Sequence, residues 1–194
     1  LAGRLCAQEV VEPDGGQLPG ADVTRFANGP VEMVGVVVNP IRGTSGVGEE
    51  AKVDMNSFDR PASLTVEMPR EGHIYDARRG KYHGLRRSFR DTFDPLDSKL
   101  YALLPYRVKG LAAKAEGKPR VGRDVRVTVR LEAEGPVADA RHVVRCDVYD
   151  PKGRWCHYYS ANVPVTDGKG ELVIPFAESD PAGRWNIRMR DAVT

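Results

Sequence analysis

The feature that most constrains this fold is a two-residue period of apolar side chains in the second half of the chain. In residues 124–133, valine, leucine or alanine occupies every second position, and polar residues fill the positions between them. The same alternation recurs in residues 141–150, 170–177 and 183–191. Successive side chains of a strand point to opposite faces of a sheet, so the pattern predicts four half-buried antiparallel strands.

The segments between these runs have the composition of tight turns. Residues 150–153 and 180–183 share the pattern Asp-Pro-x-Gly, in which aspartate caps a type I turn and proline fixes φ at its second position. Asp167-Gly168 supplies a further reversal with residues that tolerate positive φ. Strands and turns at this spacing predict a β-sandwich.

The first half shows the same signals less regularly. Strands are expected at 23–26 and 31–38, on either side of Asn28-Gly29, and then at 64–68, 73–78, 81–87, 99–106 and 108–115. A helix could compete over 100–112, but Pro105 lies in its middle. Residues 40–60 are rich in glycine, serine and acidic residues, which predicts a long surface loop.

We therefore predict an all-β chain made of two consecutive antiparallel β-sandwich modules. Residues 1–20 carry no sustained period and are assigned to an extended arm. The short polar stretch 117–123 is the expected linker, which leaves 21–116 as the first module and 124–194 as the second, Ig-like module.

Charge and hydropathy exclude several classes of partner. The chain has 29 Lys and Arg against 27 Asp and Glu, a net charge of +2, so no general attraction to nucleic acid is expected. No window has the roughly 18 apolar residues that a membrane span requires. Leu5-Cys6-Ala7 before Gln8 is compatible with the end of a signal peptide cleaved after Ala7. Cys146 and Cys156 are expected to be free thiols.

No motif predicts catalysis. The glycine-rich stretch 43–48 lacks the lysine of a phosphate-binding loop and is followed by two glutamates. The four histidines, at positions 73, 83, 142 and 157, have no metal-clamp spacing, although His73 and His83 could meet on neighbouring strands. Three aspartates at positions 91, 94 and 97 could bind calcium, but turn capping explains them more simply. We predict no catalytic residue, no cofactor, no metal ligand and no enzyme activity.

One residue set has the composition of a ligand surface. In a regular strand Trp155, His157 and Tyr159 would share one face, and an exposed aromatic row of this kind can stack against sugar rings. Buried tryptophans also anchor the cores of small sandwiches. Two alternatives therefore stand for this row, a glycan platform and packing in the core or against a neighbouring module.

Two parts of the chain resemble a known family. Residues 73–84, with Ile-Tyr-Asp-x-Arg before a glycine turn, and residues 99–108 resemble the β-sandwich region beyond the trimerisation domain of large bacterial β-galactosidase-like glycoside hydrolases. Residues 143–153 and 175–185 are similar to the C-terminal Ig-like or macroglobulin-like modules of the same proteins. The catalytic residues of that family lie on a separate barrel that this chain does not match, so none is transferred.

The resemblance implies a non-catalytic accessory region of a secreted or cell-envelope bacterial protein. Its expected partner is a catalytic or structural domain of the same parent protein, and a glycan is a further candidate. The alternative is an independent carbohydrate-binding or cell-surface adhesion module. A small enzyme whose site is assembled from distant residues is the third hypothesis.

Overall fold

The computed structural model describes residues 10–11, 21–38, 61–94 and 97–194. The regular secondary structure in this part of the chain consists of β-strands, and all strand pairs are antiparallel. The predicted all-β, antiparallel, β-sandwich-like fold is therefore confirmed. Among the described residues no helix has the length and hydropathy needed to cross a bilayer. The candidate loop at 43–48 lies outside these residues.

The chain divides into two compact units at Pro105/Tyr106, except that residues 28–30 belong to the second unit. Within its described residues, the first module contains one six-stranded sheet in the order β1-β4-β6-β3-β2, and β5 pairs with the other side of β4. Its strands are β1 (Val10–Val11), β2 (Ala21–Asn28), β3 (Val31–Val38), β4 (Ala62–Asp76), β5 (Lys81–Phe93) and β6 (Ser98–Leu104).

Alternating apolar residues form the core of the first module. Leu64, Val66 and Met68 follow one another at every second position of β4 and are almost completely buried. The register of β4 against β5 shifts between Glu67 and Gly72, and Ile74 enters the core beyond this irregularity. Side chains from three other strands complete the cluster, namely Val34, Val36, Phe89, Phe93, Tyr101 and Leu103.

The second module also contains one six-stranded sheet, in the order β12-β9-β10-β11-β8-β7. Its strands are β7 (Arg107–Ala115), β8 (Asp124–Glu134), β9 (Arg141–Tyr149), β10 (Ala161–Thr166), β11 (Lys169–Pro175) and β12 (Asn186–Asp191). The two edge strands of this order, β12 and β7, also contact each other. The sheet therefore curls around its apolar face.

The core of the second module follows the predicted two-residue period. In β8, Val125, Val127, Val129 and Leu131 are buried while the residues between them are exposed or half-buried. Val144, Cys146, Val148, Val163, Val165, Leu172 and Ile174 continue the same buried face. The reversal at Asp167-Gly168 is a two-residue connection in which both residues have positive φ, 51° and 76°.

One strand belongs to a different module than the sequence predicts. Residues 108–115 were expected to close the first module, but β7 pairs along its length with β8. The stretch 117–123 thus connects two neighbouring strands of one sheet, and the division of the chain lies at Pro105/Tyr106 instead. The polar, glycine-bearing composition of 117–123 fits either a linker or a hairpin loop, and only the strand pairing distinguishes them.

Candidate functional site

Three long connections meet at one end of the second module. Because neighbouring strands in this sheet are antiparallel, β7, β9 and β11 run in the same direction and finish at the same end of the sheet. Residues 116–123, 150–160 and 176–185 connect them to the strands that follow. At the opposite end the strand connections are shorter, namely residues 135–140 and the two-residue turn at 167–168. Loops held at one end of a sheet are where binding residues are commonly placed.

The connection 150–160 is built around the buried carboxylate of Asp150. One of its oxygens accepts hydrogen bonds from the backbone N–H groups of Lys152 and Arg154, at 2.8 and 2.9 Å. The other accepts from Arg154 Nε at 2.7 Å. This is the aspartate-capped turn that the Asp-Pro-x-Gly pattern predicts, and it fixes the direction in which the chain leaves β9.

Residues 150–160 and 176–185 are fastened to each other. The Tyr159 hydroxyl donates to Asp180 Oδ2 at 2.5 Å and accepts from the backbone N–H of Ala177 at 3.1 Å. Burial, together with the neighbouring Asp180 carboxylate, raises the pKa of the Tyr159 hydroxyl, so this group stays protonated and donates. Gly183, at φ +144°, lies against Pro151, and a Cβ at this position would be 2.9 Å from the proline ring.

The predicted aromatic row is not a strand face. Trp155 makes a single antiparallel bridge to Tyr149, and the chain then turns, with the N–H groups of Tyr159 and Ser160 donating to the carbonyl of Cys156. In a turn, successive side chains do not alternate between two faces. Trp155 and His157 are exposed, whereas Tyr159 is only 9% exposed and packs inward. The prediction that these three residues share one face is therefore wrong.

A fourth aromatic residue replaces Tyr159 on the surface. Tyr158 is 63% exposed, and its ring centroid lies 5.3 Å from that of His157, which lies 6.0 Å from Trp155. We call Trp155, His157 and Tyr158 the aromatic surface. The sequence indicates that residues 155–160 form a connection and not a strand, because the apolar alternation of β10 begins only at Val163.

The exposed tryptophan is held in place. Trp155 is 54% exposed, yet its indole Nε1 donates to Ser160 Oγ at 2.9 Å. Ser160 Oγ in turn donates to the Cys156 carbonyl at 2.8 Å and accepts from the N–H of Val148 at 3.0 Å. The ring is therefore positioned by the backbone of β9 and of the turn, although more than half of it faces solvent. Trp155 does not belong to the core of the module.

Aromatic contacts continue from this surface to a pocket. Tyr158 packs on Tyr159 at 4.5 Å between centroids, and Tyr159 packs on Phe176 and Trp185 at 5.3 and 6.0 Å. Beside Trp185, a pocket of about 430 Å³ opens between residues 116–123 and 176–185. The three connections thus form one site with an exposed part and a recessed part.

The two cysteines of the second module are buried and do not form a disulfide in the structure. Burial, with a contribution from the Asp147 carboxylate, raises the pKa of the Cys146 thiol to about 11. Cys156 is buried while His157 is exposed, so this adjacent pair does not form a thiolate–imidazole couple. Neither thiol is placed to act as a nucleophile.

A polar cluster in the first module brings together residues that the sequence separates. One ligand-type atom from each of Asp76, His83 and Asp91 lies within 4.8 Å of the others. Asp91 Oδ2, however, already accepts from the Tyr101 hydroxyl at 2.7 Å and from the Lys99 ammonium at 2.9 Å. The buried Lys99 ammonium therefore balances negative charge in this cluster, and we assign no metal to it.

The predicted aspartate set at 91, 94 and 97 is divided by the fold. Asp91 faces Lys99, while the N–H of Asp97 donates to the Asp94 carbonyl. Asp97 Oδ2 lies 3.5 Å from the Arg79 guanidinium. The two predicted neighbours His73 and His83 are also separated in their contacts, since His73 binds the Tyr82 hydroxyl and His83 packs on Phe89.

The comparisons with known proteins do not assign a family. No protein-family model matches the chain, and no curated protein matches it. Among solved structures, the chain is similar to the Arthrobacter globiformis T6 isomalto-dextranase complexed with panose, at 10% sequence identity and a TM-score of 0.32. The match covers 97% of this chain and 39% of that chain. A similarity of this size does not carry a conclusion about function.

Proposed function

We propose that this chain is a non-catalytic accessory region of a bacterial carbohydrate-active protein, and that its second module binds carbohydrate through the aromatic surface. The observation that carries the proposal is the exposure of Trp155 on a turn that fixes its ring. Sugar rings present C–H groups on one face, and a positioned indole offers them a large apolar contact at little entropic cost.

The chemistry of this surface favours a ligand over ordinary solvent exposure. Single exposed hydrophobic residues are common, but three contiguous aromatic rings on one short turn are not. Polar atoms that orient a hydroxylated ligand are nearby, since the His157 ring lies beside the indole and the Tyr158 ring lies beside His157. A surface with both apolar faces and hydrogen-bonding groups suits a sugar better than a purely apolar partner.

One histidine resembles part of a catalytic relay, but its burial supports a structural role. His142 lies between Asp191, at 3.0 Å, and the Tyr106 hydroxyl, at 2.6 Å. The His142 and Asp191 side chains are only 1% and 4% exposed. A substrate has no access to these groups, so the network serves to join β9 and β12.

The proposal for the parent protein is based on the family that the sequence resembles. We propose that the partner is a catalytic or structural domain of the same polypeptide, in a secreted or cell-envelope glycoside hydrolase of bacteria. The immunoglobulin-like character of the second module belongs to the same proposal. In this arrangement the accessory region keeps the parent protein close to its polymeric substrate.

A glycan array probed with the full chain tests the proposal. The Trp155→Ala and Tyr158→Ala variants should lose binding to every glycan that the wild-type chain retains. Phe26→Ala is the matched control, since Phe26 is an exposed aromatic residue of the first module, 58% exposed. If no glycan is retained, or if all three variants bind equally well, the aromatic surface is not a sugar site. It would then serve as a packing surface against the parent protein.

A further inference from the structure

The loop over residues 116–123 carries a net positive charge. It contains Lys118, Arg120 and Arg123, with Glu116 as its only acidic residue, at the β7 end. None of the three cations forms an ion pair within the described part of the chain, whereas Glu116 accepts a hydrogen bond from the Thr128 hydroxyl. Some other arginines of the same module do form ion pairs, for example Arg126 with Glu171 and Arg145 with Asp147.

This loop forms one wall of the pocket beside Trp185. Pro119 and Arg120 stand on one side, and Phe176, Pro181 and Trp185 on the other. Arg120 is the only charged residue of the lining. The volume of about 430 Å³ lies within the range typical of small-ligand sites. The pocket thus combines an apolar floor with a single positive charge.

The walls of the pocket are held by close contacts with neighbouring side chains and backbone. A Cβ on Gly122 would lie 2.8 Å from Glu178 Cγ, so the two loops touch at this point. The Trp185 indole donates to the Pro181 carbonyl at 3.1 Å, and its ring packs edge-on against Phe176 at 4.7 Å. Gly183 against Pro151 connects the same wall to the turn that carries Trp155. The pocket is therefore preformed.

We propose that this pocket binds an acidic sugar residue, with Arg120 contacting its carboxylate or sulfate group and Trp185 packing beside its ring. The inference rests on the proposed function, because it extends the aromatic surface into a longer glycan site. A guanidinium forms paired, charge-assisted hydrogen bonds with oxyanions, and a cation with no acidic partner is available for them. The ligand class is an anionic glycan.

The test compares glycans that differ only in charge. Binding of the full chain to tetragalacturonate and to its methyl ester is measured by calorimetry, and a sulfated carrageenan oligosaccharide is compared with its desulfated form. We expect the acidic member of at least one pair to bind about tenfold more tightly than its neutral counterpart. The pair that shows the preference identifies the acidic group.

Two arginine variants locate the effect. Arg120→Gln should abolish the preference for the acidic ligand and leave the affinity for the neutral ligand unchanged. Arg126→Gln is the control, because Arg126 is an exposed arginine of the same module outside the pocket. Equal loss in both variants would show a general charge effect and would overturn the inference.

The failure of this inference is distinguishable from that of the proposed function. Equal affinity for the acidic and neutral members of both pairs, with binding still lost in Trp155→Ala, would overturn only the anionic pocket. If neither member of either pair binds, and the glycan array is also negative, both proposals fail. The arginine variants are surface changes, so folding is not at risk in the comparison.

Discussion

Tyr159 Oη and Asp180 Oδ2 lie 2.5 Å apart and join two loops, although the two residues are 21 positions apart in sequence. In the sequence, Tyr159 follows the exposed Tyr158, and Asp180 comes directly before Pro181, which lines the pocket. This hydrogen bond therefore contributes to the connection between the aromatic surface and the recessed part of the site. The geometry of each part depends on the other.

Removing this hydroxyl should loosen the site without unfolding the module. We expect Tyr159→Phe to lower the free energy of unfolding by about 1 kcal/mol, because Asp180 still accepts from the N–H of Ala177 at 2.8 Å. Tyr158→Phe should leave stability unchanged, since that ring is exposed. Urea unfolding of both variants checks the difference, and an equal effect would contradict the described role of Tyr159.

The two tryptophans should differ in their contribution to stability. Trp155→Ala should cost less than about 1 kcal/mol, because the side chain is 54% exposed and loses chiefly its bond to Ser160. Trp185→Ala should cost about 2 kcal/mol or more, since Trp185 packs on Phe176 and Tyr159. Thermal unfolding distinguishes them. A large loss in Trp155→Ala would mean that this residue supports the fold.

Asp91 should make the first module sensitive to acid. Burial opposes its ionisation, but hydrogen bonds from Lys99 and Tyr101 outweigh burial and hold the pKa of Asp91 below its ordinary value. A lowered native pKa stabilises the fold fully above the unfolded value, near pH 4, and this contribution is lost as the pH falls through the native pKa. The free energy of unfolding should therefore decrease in acid.

Substitution of Asp91 tests the assignment of this acid dependence. Asp91→Asn should flatten the decrease below about pH 4 and should cost about 3 kcal/mol at neutral pH, because it leaves the Lys99 ammonium buried without its carboxylate. Asp94→Asn, at an exposed turn position, should change neither. Urea titrations across this pH range measure both effects, and parallel curves for wild type and Asp91→Asn would refute the assignment.

Cys146 should be inert to alkylation in the folded protein. Its thiol is buried, and its pKa of about 11 keeps the thiolate population very small at pH 8. Peptide-resolved mass spectrometry after iodoacetamide treatment should find Cys146 unmodified in buffer and modified in urea. Rapid modification in buffer would show that the β9 face opens on the timescale of labelling.

The local elements of the fold were predictable from the sequence. The alternation in β8 and β9 and the positive-φ turn at Asp167-Gly168 identify strands and their reversals, because burial on one face fixes which residues must be apolar. The assignment of β7 to the second sheet was not predictable. Its own pattern is compatible with either sheet, and only its pairing with β8 decides between them.

The candidate site was predicted only in part. Trp155 and His157 are exposed, whereas Tyr159, which the strand pattern places on the same face, is buried, and the exposed Tyr158 is not part of the predicted row. The alternation rule applies only while the chain stays extended, and the turn at Cys156–Ser160 breaks it. The pocket was not visible at all, since residues 116–123 and 176–185 meet only when β7, β8, β11 and β12 occupy one curled sheet.

The sequence by itself determined that this chain forms antiparallel sheets, because side-chain periodicity and turn chemistry act over a few neighbouring residues. Tertiary structure alone decided which aromatic rings are exposed, which carboxylate receives the Lys99 ammonium, and which loops enclose a pocket. These outcomes depend on contacts between residues far apart in the chain. Such contacts are set by strand order and register, which local composition does not encode.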